Sequence, residues 1–289
     1  MGPVLACLLL LPLLLAGCGR EDPGTPVLKF SAIPDEDVTG FVQKFQPVAA
    51  WLTERLGVPV EYQHSESYPA SVETFKRGEI LLAWFGGLTG VQARSLVPGA
   101  QAIAQGVEDP EYFSYFIANA DTGLERSDHF PAAAKGLTLT FGSESSTSGR
   151  LMPEHFIREN TRQAPRAFFG KVVFSGNHDK TVEWVESGQA QIGAVSYKVY
   201  DARVAAGKSD PNVAKVIWKT PPYADYNFTA HPDLEKVFGA GFTRKLQQAL
   251  LDMQDENLLE AFKRSGFIPA SNDDFATIQS VAEALGFLD

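Results

Sequence analysis

"GLTLTFGSESSTSGRLMPEHF", residues 136–156, decides how this chain is read. An apolar run, "LTLTF", is followed by five hydroxyl side chains (Ser143, Ser145, Ser146, Thr147, Ser148) set among Gly142 and Gly149. A helical pattern with Leu151, Met152, Phe156 and Ile157 comes next. Strand, short polar loop and helix in that order form the start of a βα unit. Backbone N–H groups at a helix start lack partners within the helix. With the helix dipole they can hold an anion without any cationic side chain. The same residues also make an ordinary N-cap, where Ser and Thr are preferred. Pro153 clashes in a helix interior, so the regular turns are expected to begin near it, leaving the N–H groups just upstream available.

Working outward, the pattern continues through strand "KVVFSG", helix "HDKTVEWVESG", strand "AQIGAVS", helix "KVYDARVAAG" and strand "AKVIWKT". Upstream, "VLKFSAI" precedes a helix with Phe41, Phe45, Val48, Trp51, Leu52 and Leu56 at helical spacing, closed by Gly57. "VPVEY", a helix through Val72 and Phe75 stopped at Gly78, and "ILLAWF" complete a βαβαβ pattern, and "QAIAQGV" and "YFSYFIANA" add strands. Such alternation predicts mostly parallel sheets in two α/β units. After "PPYADYNFTAH" the pattern predicts helix to the end. Ligand crevices in open α/β sheets lie at the carboxyl ends of strands. "SESSTSG", "GNHD" and "VSY" each follow a strand and are expected on one edge of one lobe. His178, at the turn "SGNHDKT", is placed to donate to an oxyanion, and Asp179 is expected to be the helix N-cap.

The 289 residues are 44% hydrophobic and 21% charged, which fits a globular protein and not a disordered one. The first stretch, "MGPVLACLLLLPLLLAGCGRED", has a leucine-rich apolar core too short to span a bilayer and typical of a signal peptide. Its "LLAGC" resembles a bacterial lipobox, which implies a diacylglyceryl group on Cys18 and cleavage just before it. No Lys or Arg precedes Arg20, a departure from the usual positive n-region. An ordinary secretory peptide and an uncleaved anchor are the alternatives. Cys7 and Cys18 are the only cysteines, so the body has no thiol for catalysis, metal binding or disulfides. A net charge of −10 argues against nucleic acid. No H-E-x-x-H, G-x-S-x-G or Walker pattern occurs, and neither metal, cofactor nor catalysis is expected.

"AWFGG", "SSTSGRLMP" and "SGNHDKTVEWVESGQA" occur in the order and spacing of the phosphate, phosphite and phosphonate periplasmic binding proteins of ATP-driven importers. The chain resembles that family over essentially its whole mature length. "SAIPDED", "TPPYADYNFT" and "FIPAS" resemble the branch named for selenate import. The resemblance implies an α/β bilobal periplasmic-binding-protein type II fold, two mostly parallel-sheet lobes joined by two crossover segments. Residues 1–17 are then the signal peptide and 18–26 a linker. Residues 27–118 plus 226–289 form lobe 1, and 119–225 form lobe 2. The Ser-Thr-Ser turn wraps the oxyanion in that family, which points to Ser146, Thr147 and Ser148. Tyr68 from "ESYPASVE", Tyr112 from "PEYFSYF", His178 and Asp225 from "YADYN" are implied beside them.

Some phosphonate binders carry a carboxylate in the loop matching "VSYKVY", where it holds a substrate amine. Ser196, Tyr197 and Lys198 stand there instead, which disfavours an aminoalkyl phosphonate. The expected protein is a monomeric extracytoplasmic lipoprotein of the periplasm or cell surface. It touches the membrane only through its anchor and delivers a small tetrahedral oxyanion to the permease subunits of an ABC importer. A selenate- or sulfate-type ligand is the alternative. An enzyme using His178 with Ser146 or Asp225, or a sensor module, is the rival from another class. Asp225 bears on the ligand, because a buried carboxylate repels a dianion such as sulfate yet accepts a hydrogen bond from a P–OH.

Overall fold

The computed structural model describes residues 24–36 and 41–288. The chain first runs β1 (Leu28–Ala32), α1 (Phe41–Leu56), β2 (Val60–Tyr62), α2 (Tyr68–Lys76), β3 (Leu82–Phe85), α3 (Gly87–Leu96) and β4 (Gln101–Gly106). It continues through β5 (Ser114–Asn119), β6 (Thr138–Phe141), α4 (Met152–Thr161), α5 (Pro165–Phe168), β7 (Lys171–Phe174), α6 (His178–Glu186), β8 (Ile192–Ser196), α7 (Tyr197–Ala205) and β9 (Ala214–Lys219). The last stretch is β10 (Asn227–Ala230), α8 (Asp233–Phe238), α9 (Phe242–Leu251), α10 (Glu256–Leu259), β11 (Phe267–Pro269) and α11 (Ala276–Leu285).

Two sheets result, ordered β11-β4-β10-β3-β1-β2 and β7-β6-β8-β5-β9. The α/β architecture is as expected, but both sheets are mixed. β1 pairs in parallel with β2 and β3, while β10 runs antiparallel between β3 and β4, and β11 antiparallel to β4. In the second sheet β6 is parallel to β7 and β8, and β5 lies antiparallel between β8 and β9. A returning strand is thus inserted into each sheet, β10 in the first and β5 in the second, and β11 adds an opposed edge strand to the first. Helix was expected throughout the C-terminal stretch, yet β11 is a strand there. The change of sheet also falls before Ser114 and not after residue 118, because β5 forms its ladders entirely with the second sheet.

Burial explains the elements. Phe45, Val48, Leu52 and Leu56 form the buried stripe of α1, which Gly57 ends at φ +68°. Phe30, Phe85 and Phe228 are fully buried on strands of the first sheet, and Phe116 and Phe141 on strands of the second. Each such ring contributes about 1.5–3 kcal/mol by leaving water. The segments joining the sheets, 107–113 and 220–226, run side by side. Tyr223 N–H donates to Tyr112 O at 2.8 Å, Thr220 N–H to Ser114 O at 3.0 Å and Asp225 N–H to Asp109 O at 3.1 Å. Among the described residues no helix is long and apolar enough to cross a membrane. The signal-peptide stretch and Cys18 lie outside them.

Candidate functional site

β6, β7 and β8 point the same way, so the three loops singled out by sequence meet at one edge of the second sheet. The hydroxyl loop forms a wide turn, Thr147–Leu151, before α4 begins. Ser146 caps it: its Oγ accepts from Gly149 N–H at 2.9 Å, and its carbonyl accepts from Leu151 N–H at 2.9 Å. Such i to i+5 turns are rare and occur often at functional sites. Gly149 has no room for a side chain, since a Cβ there would lie 2.9 Å from Ser146 Oγ and 3.0 Å from His178 Cε1. Pro153 sits in the first turn of α4, where its missing N–H costs no helical bond.

His178 opens α6, but the N-cap is Asn177, whose side chain accepts from Lys180 N–H at 2.9 Å. Asp179, expected as the cap, lies in the first turn and pairs with Arg203 at 2.8 Å. A cap needs extended backbone one residue before the helix, and Asn177 supplies it with φ −149° and ψ 175°. His178 Nδ1 accepts from Ser196 N–H at 3.3 Å, which puts the ring proton on Nε2, 3.4 Å from Ser148 Oγ. Burial lowers the imidazole pKa to about 4, so the ring is a neutral donor at neutral pH. Ser114 Oγ donates to Ser148 O at 2.7 Å and receives the hydroxyl of Tyr223 at 2.6 Å. Tyr112 and Ser196 share a short hydrogen bond between their hydroxyls.

The first sheet faces this edge with the start of α3. Gly87 N–H donates to Asp225 Oδ1 at 2.8 Å, and Leu88 N–H to Thr147 Oγ1 at 2.9 Å. The glycines of "AWFGG" allow that approach, since a Cβ on Gly86 would lie 3.1 Å from Thr147 Oγ1 and 3.3 Å from Asp225 Oδ1. A second backbone bond crosses the sheets, from His178 N–H to Asp35 O at 3.0 Å. Asp225 is 1% exposed and its Oδ2 has no hydrogen-bond partner; the buried hydroxyl of Tyr68 has none either. Burial raises the Asp225 pKa to about 7, against the pull of the Gly87 N–H and the Thr147 hydroxyl. It also pushes the Tyr68 and Tyr112 phenols well above their usual range.

All seven expected residues, Ser146, Thr147, Ser148, His178, Tyr68, Tyr112 and Asp225, are therefore buried around one cluster. The hydrolytic pairing does not form: Ser146 Oγ is tied to Gly149, and His178 contacts Ser148 and Ser196, not Ser146 or Asp225. Sequence reasoning missed Asp35, Ser114, Tyr223 and Tyr226 as members. Asp35 closely follows β1 and Tyr226 donates to its Oδ2 at 2.8 Å, so the strand-end rule would have found it. Among the described residues, the hydrogen-bond partners of Ser146, Thr147, Ser148 and Asp225 include no Lys or Arg. Lysines stand at the rim instead, where Lys44 and Lys263 both pair with Glu36 and Lys198 pairs with Glu108 at 2.9 Å. No group of three His, Cys, Asp or Glu side chains suited to a metal occurs among the described residues.

Residues 30–275 match the sequence model of the family described as "ABC transporter, phosphonate, periplasmic substrate-binding protein". The chain is 35% identical over 266 residues to the protein named "Probable ABC transporter phosphite binding protein PhnD1" of Prochlorococcus marinus (strain MIT 9301), covering 90% of each. The solved structure of PhnD1 from that organism in complex with methylphosphonate superposes with a TM-score of 0.85 at 34% identity. That match spans 90% of this chain and 98% of the other. A binding protein component of an ABC phosphonate transporter from Pseudomonas aeruginosa shares the fold, with a TM-score of 0.77 at 20% identity over 89% and 85% of the two chains.

Proposed function

The chain belongs to the family of periplasmic substrate-binding proteins of phosphonate ABC transporters, and from that membership we propose that its buried cluster takes a small phosphorus oxyanion carrying one proton. Methylphosphonate and phosphite have that chemistry. The observation that carries this reading is that, of the buried atoms without partners among the described residues, Asp225 Oδ2 and Tyr68 OH belong to this cluster. Buried polar groups are nearly always satisfied, so these two point at a ligand that supplies both a donor and an acceptor. A P–OH donates to Asp225, while charged P–O oxygens receive the Tyr68 hydroxyl, the His178 Nε2–H and N–H groups of the 147–151 turn. Sulfate and selenate have no proton to offer near neutral pH, so they fit only when Asp225 itself is protonated, a state that its pKa of about 7 makes costly above that pH.

Binding requires no bond to break. Ligand between the lobes favours closure, and the closed form is what the permease subunits recognise. We take lobe 1 as the first sheet with its helices and lobe 2 as the second, with crossovers at 107–113 and 220–226. Lipid anchoring through Cys18 and action as a monomer complete the proposal. Intact mass of the membrane-extracted protein tests the anchor, and an unmodified Cys18 on a released chain removes it.

The deciding experiment is calorimetry on protein unfolded, stripped of ligand and refolded, titrated with methylphosphonate, phosphite, phosphate, sulfate and selenate. Tightest binding of methylphosphonate or phosphite is expected. Preference for sulfate or selenate overturns the ligand class while leaving the family untouched.

A further inference from the structure

Behind the cluster lies an ion pair that does not touch its unpartnered atoms. Arg264 is buried, donating from Nε to Asp109 Oδ2 at 2.8 Å and from Nη2 to Asp109 Oδ1 at 2.7 Å. Nη1 donates to Phe262 O at 2.7 Å, and the guanidinium lies 4.8 Å from the Tyr226 ring centre, 5.2 Å from Tyr112 and 5.5 Å from Trp84. The backbone is shaped for it. Lys263, just before, adopts φ 52°, one of two left-handed non-glycine residues among those described. A Cβ at Gly106 would fall 2.5 Å from Arg264 Cδ and onto Asp109 Oδ2.

A buried ion pair seldom outperforms apolar side chains of the same volume for stability alone. Its placement suggests what it does. Asp109 stands on the first crossover, three residues before Tyr112, and its carbonyl accepts the N–H of Asp225 on the second at 3.1 Å. Arg264 arrives from a third segment, between α10 and β11, and meets the faces of Tyr112 and Tyr226. Resting on the ligand reading above, we infer that Arg264 and Asp109 are a positioning pair for the cleft, fixing Tyr112 and Asp225 relative to each other where the two crossovers meet.

The same pair brackets Asp225 electrostatically: the Asp109 charge raises its proton affinity and the Arg264 charge lowers it. Other groups facing Asp225 are the Gly87 N–H from α3, the Thr147 hydroxyl, and the phenols of Tyr68, Tyr112, Tyr223 and Tyr226. Asp35 is one step further, behind Tyr226. Burial keeps all four phenols neutral across the working range. If the complex holds one proton shared by ligand and Asp225, affinity peaks midway between the proton affinities of the two free partners. Moving Asp225 moves that optimum.

The test is methylphosphonate affinity from about pH 5.5 to about pH 8.5 for wild type, Arg264→Met, Asp109→Asn and the double variant, with folding checked by circular dichroism. Arg264→Met leaves Asp109 uncompensated and is expected to shift the optimum to higher pH. Asp109→Asn leaves Arg264 uncompensated and shifts it lower. The double variant returns the optimum to the wild-type position, yet binds about tenfold more weakly because the register is lost. A merely structural pair would alter melting temperature without opposite shifts of the optimum, and unchanged optima in folded single variants overturn the inference. If neither single variant folds, the uncharged double variant decides: wild-type affinity there overturns it and a tenfold loss supports it. Failure of wild type to bind any phosphorus oxyanion would sink the ligand reading itself, a result distinct from unchanged variants.

Discussion

The two sides of the cleft are built on opposite plans. On the second-sheet side, Ser114, Ser148, His178 and Ser196 are joined in a hydrogen-bonded chain, and Ser146 separately accepts from Gly149 N–H, before ligand arrives. On the other side, Asp225 and Tyr68 each keep a buried polar atom without a partner. One side is satisfied and rigid, the other held ready at the expense of stability. On the proposed reading, the difference means that charge and proton are recognised separately: fixed dipoles and neutral hydrogens would meet the negative oxygens, and the Asp225 carboxylate would read whether one oxygen still carries its hydrogen.

Asp225→Asn strikes the unsatisfied side hardest. Losing a charge-assisted hydrogen bond of about 1.5–3 kcal/mol should weaken methylphosphonate binding roughly 10- to 100-fold, read by calorimetry. A phosphomonoester loses its second proton at roughly pH 6, and an alkylphosphonate, a weaker acid, at higher pH. Affinity of the wild type for methylphosphonate should therefore peak midway between the second pKa of the ligand and the Asp225 pKa of about 7, falling on both sides. The Asn variant should lose the bell. The same variant has a signature without ligand. The folded pKa is raised, so Asp225 favours the fold below the ordinary carboxylate range and that contribution is lost as pH rises through about 7. The unliganded Asn variant should thus melt progressively higher than wild type as pH increases. A constant difference would mean Asp225 is not titrating where its burial suggests.

Thr147→Val comes next, with a loss of about tenfold, because Val keeps the shape but strands the Leu88 N–H that now donates to Thr147 Oγ1. A larger loss than that of Asp225→Asn would reverse the ranking of the two sides. Tyr68→Phe should cost about threefold in affinity while leaving melting temperature unchanged or slightly raised, since the hydroxyl removed has no partner in the fold. A clear fall in stability would show that it is already satisfied. The smallest effect is that of salt. With no Lys or Arg bonded to the Ser-Thr-Ser turn or Asp225, raising ionic strength from about 0.05 M to about 0.5 M should change Kd less than about twofold.

Much of this was legible in the sequence because the signals are local. Hydroxyls after "LTLTF", His178 after "KVVF" and the glycines of "AWFGG" sit at strand ends, where topology alone brings them together. What was not legible depends on partners far along the chain. α3 was not anticipated: Gly87 and Gly90 each lower helix propensity by about 1 kcal/mol. It forms because Asp225, 138 residues away, and Thr147, 59 residues away, take its first N–H groups. Gly90 also leaves room for Asn227 of β10, whose side chain a Cβ would meet at 2.9 Å. β10 and β11 are four and three residues long, too short to show alternation, and both were overlooked as strands. Arg264 reads in sequence as one more charge in "FKRSG". Only the fold reveals that Asp109 neutralises it in the interior.

The placement of β10 has a consequence for biogenesis. The second sheet comes from one continuous span, residues 114–219, and can be finished as soon as that span is available. The first cannot, because the strand between β3 and β4 is supplied by residues 227–230, after the whole intervening lobe has been made. Until then β3 and β4 present open edges in a half-built sheet, the kind of surface that pairs with other chains. Closing that gap joins residues some 140 positions apart, which makes it a slow step. Asp225 and Tyr226 lie immediately before β10, so the buried cluster around Asp225 stays incomplete until this stretch has folded back between β3 and β4.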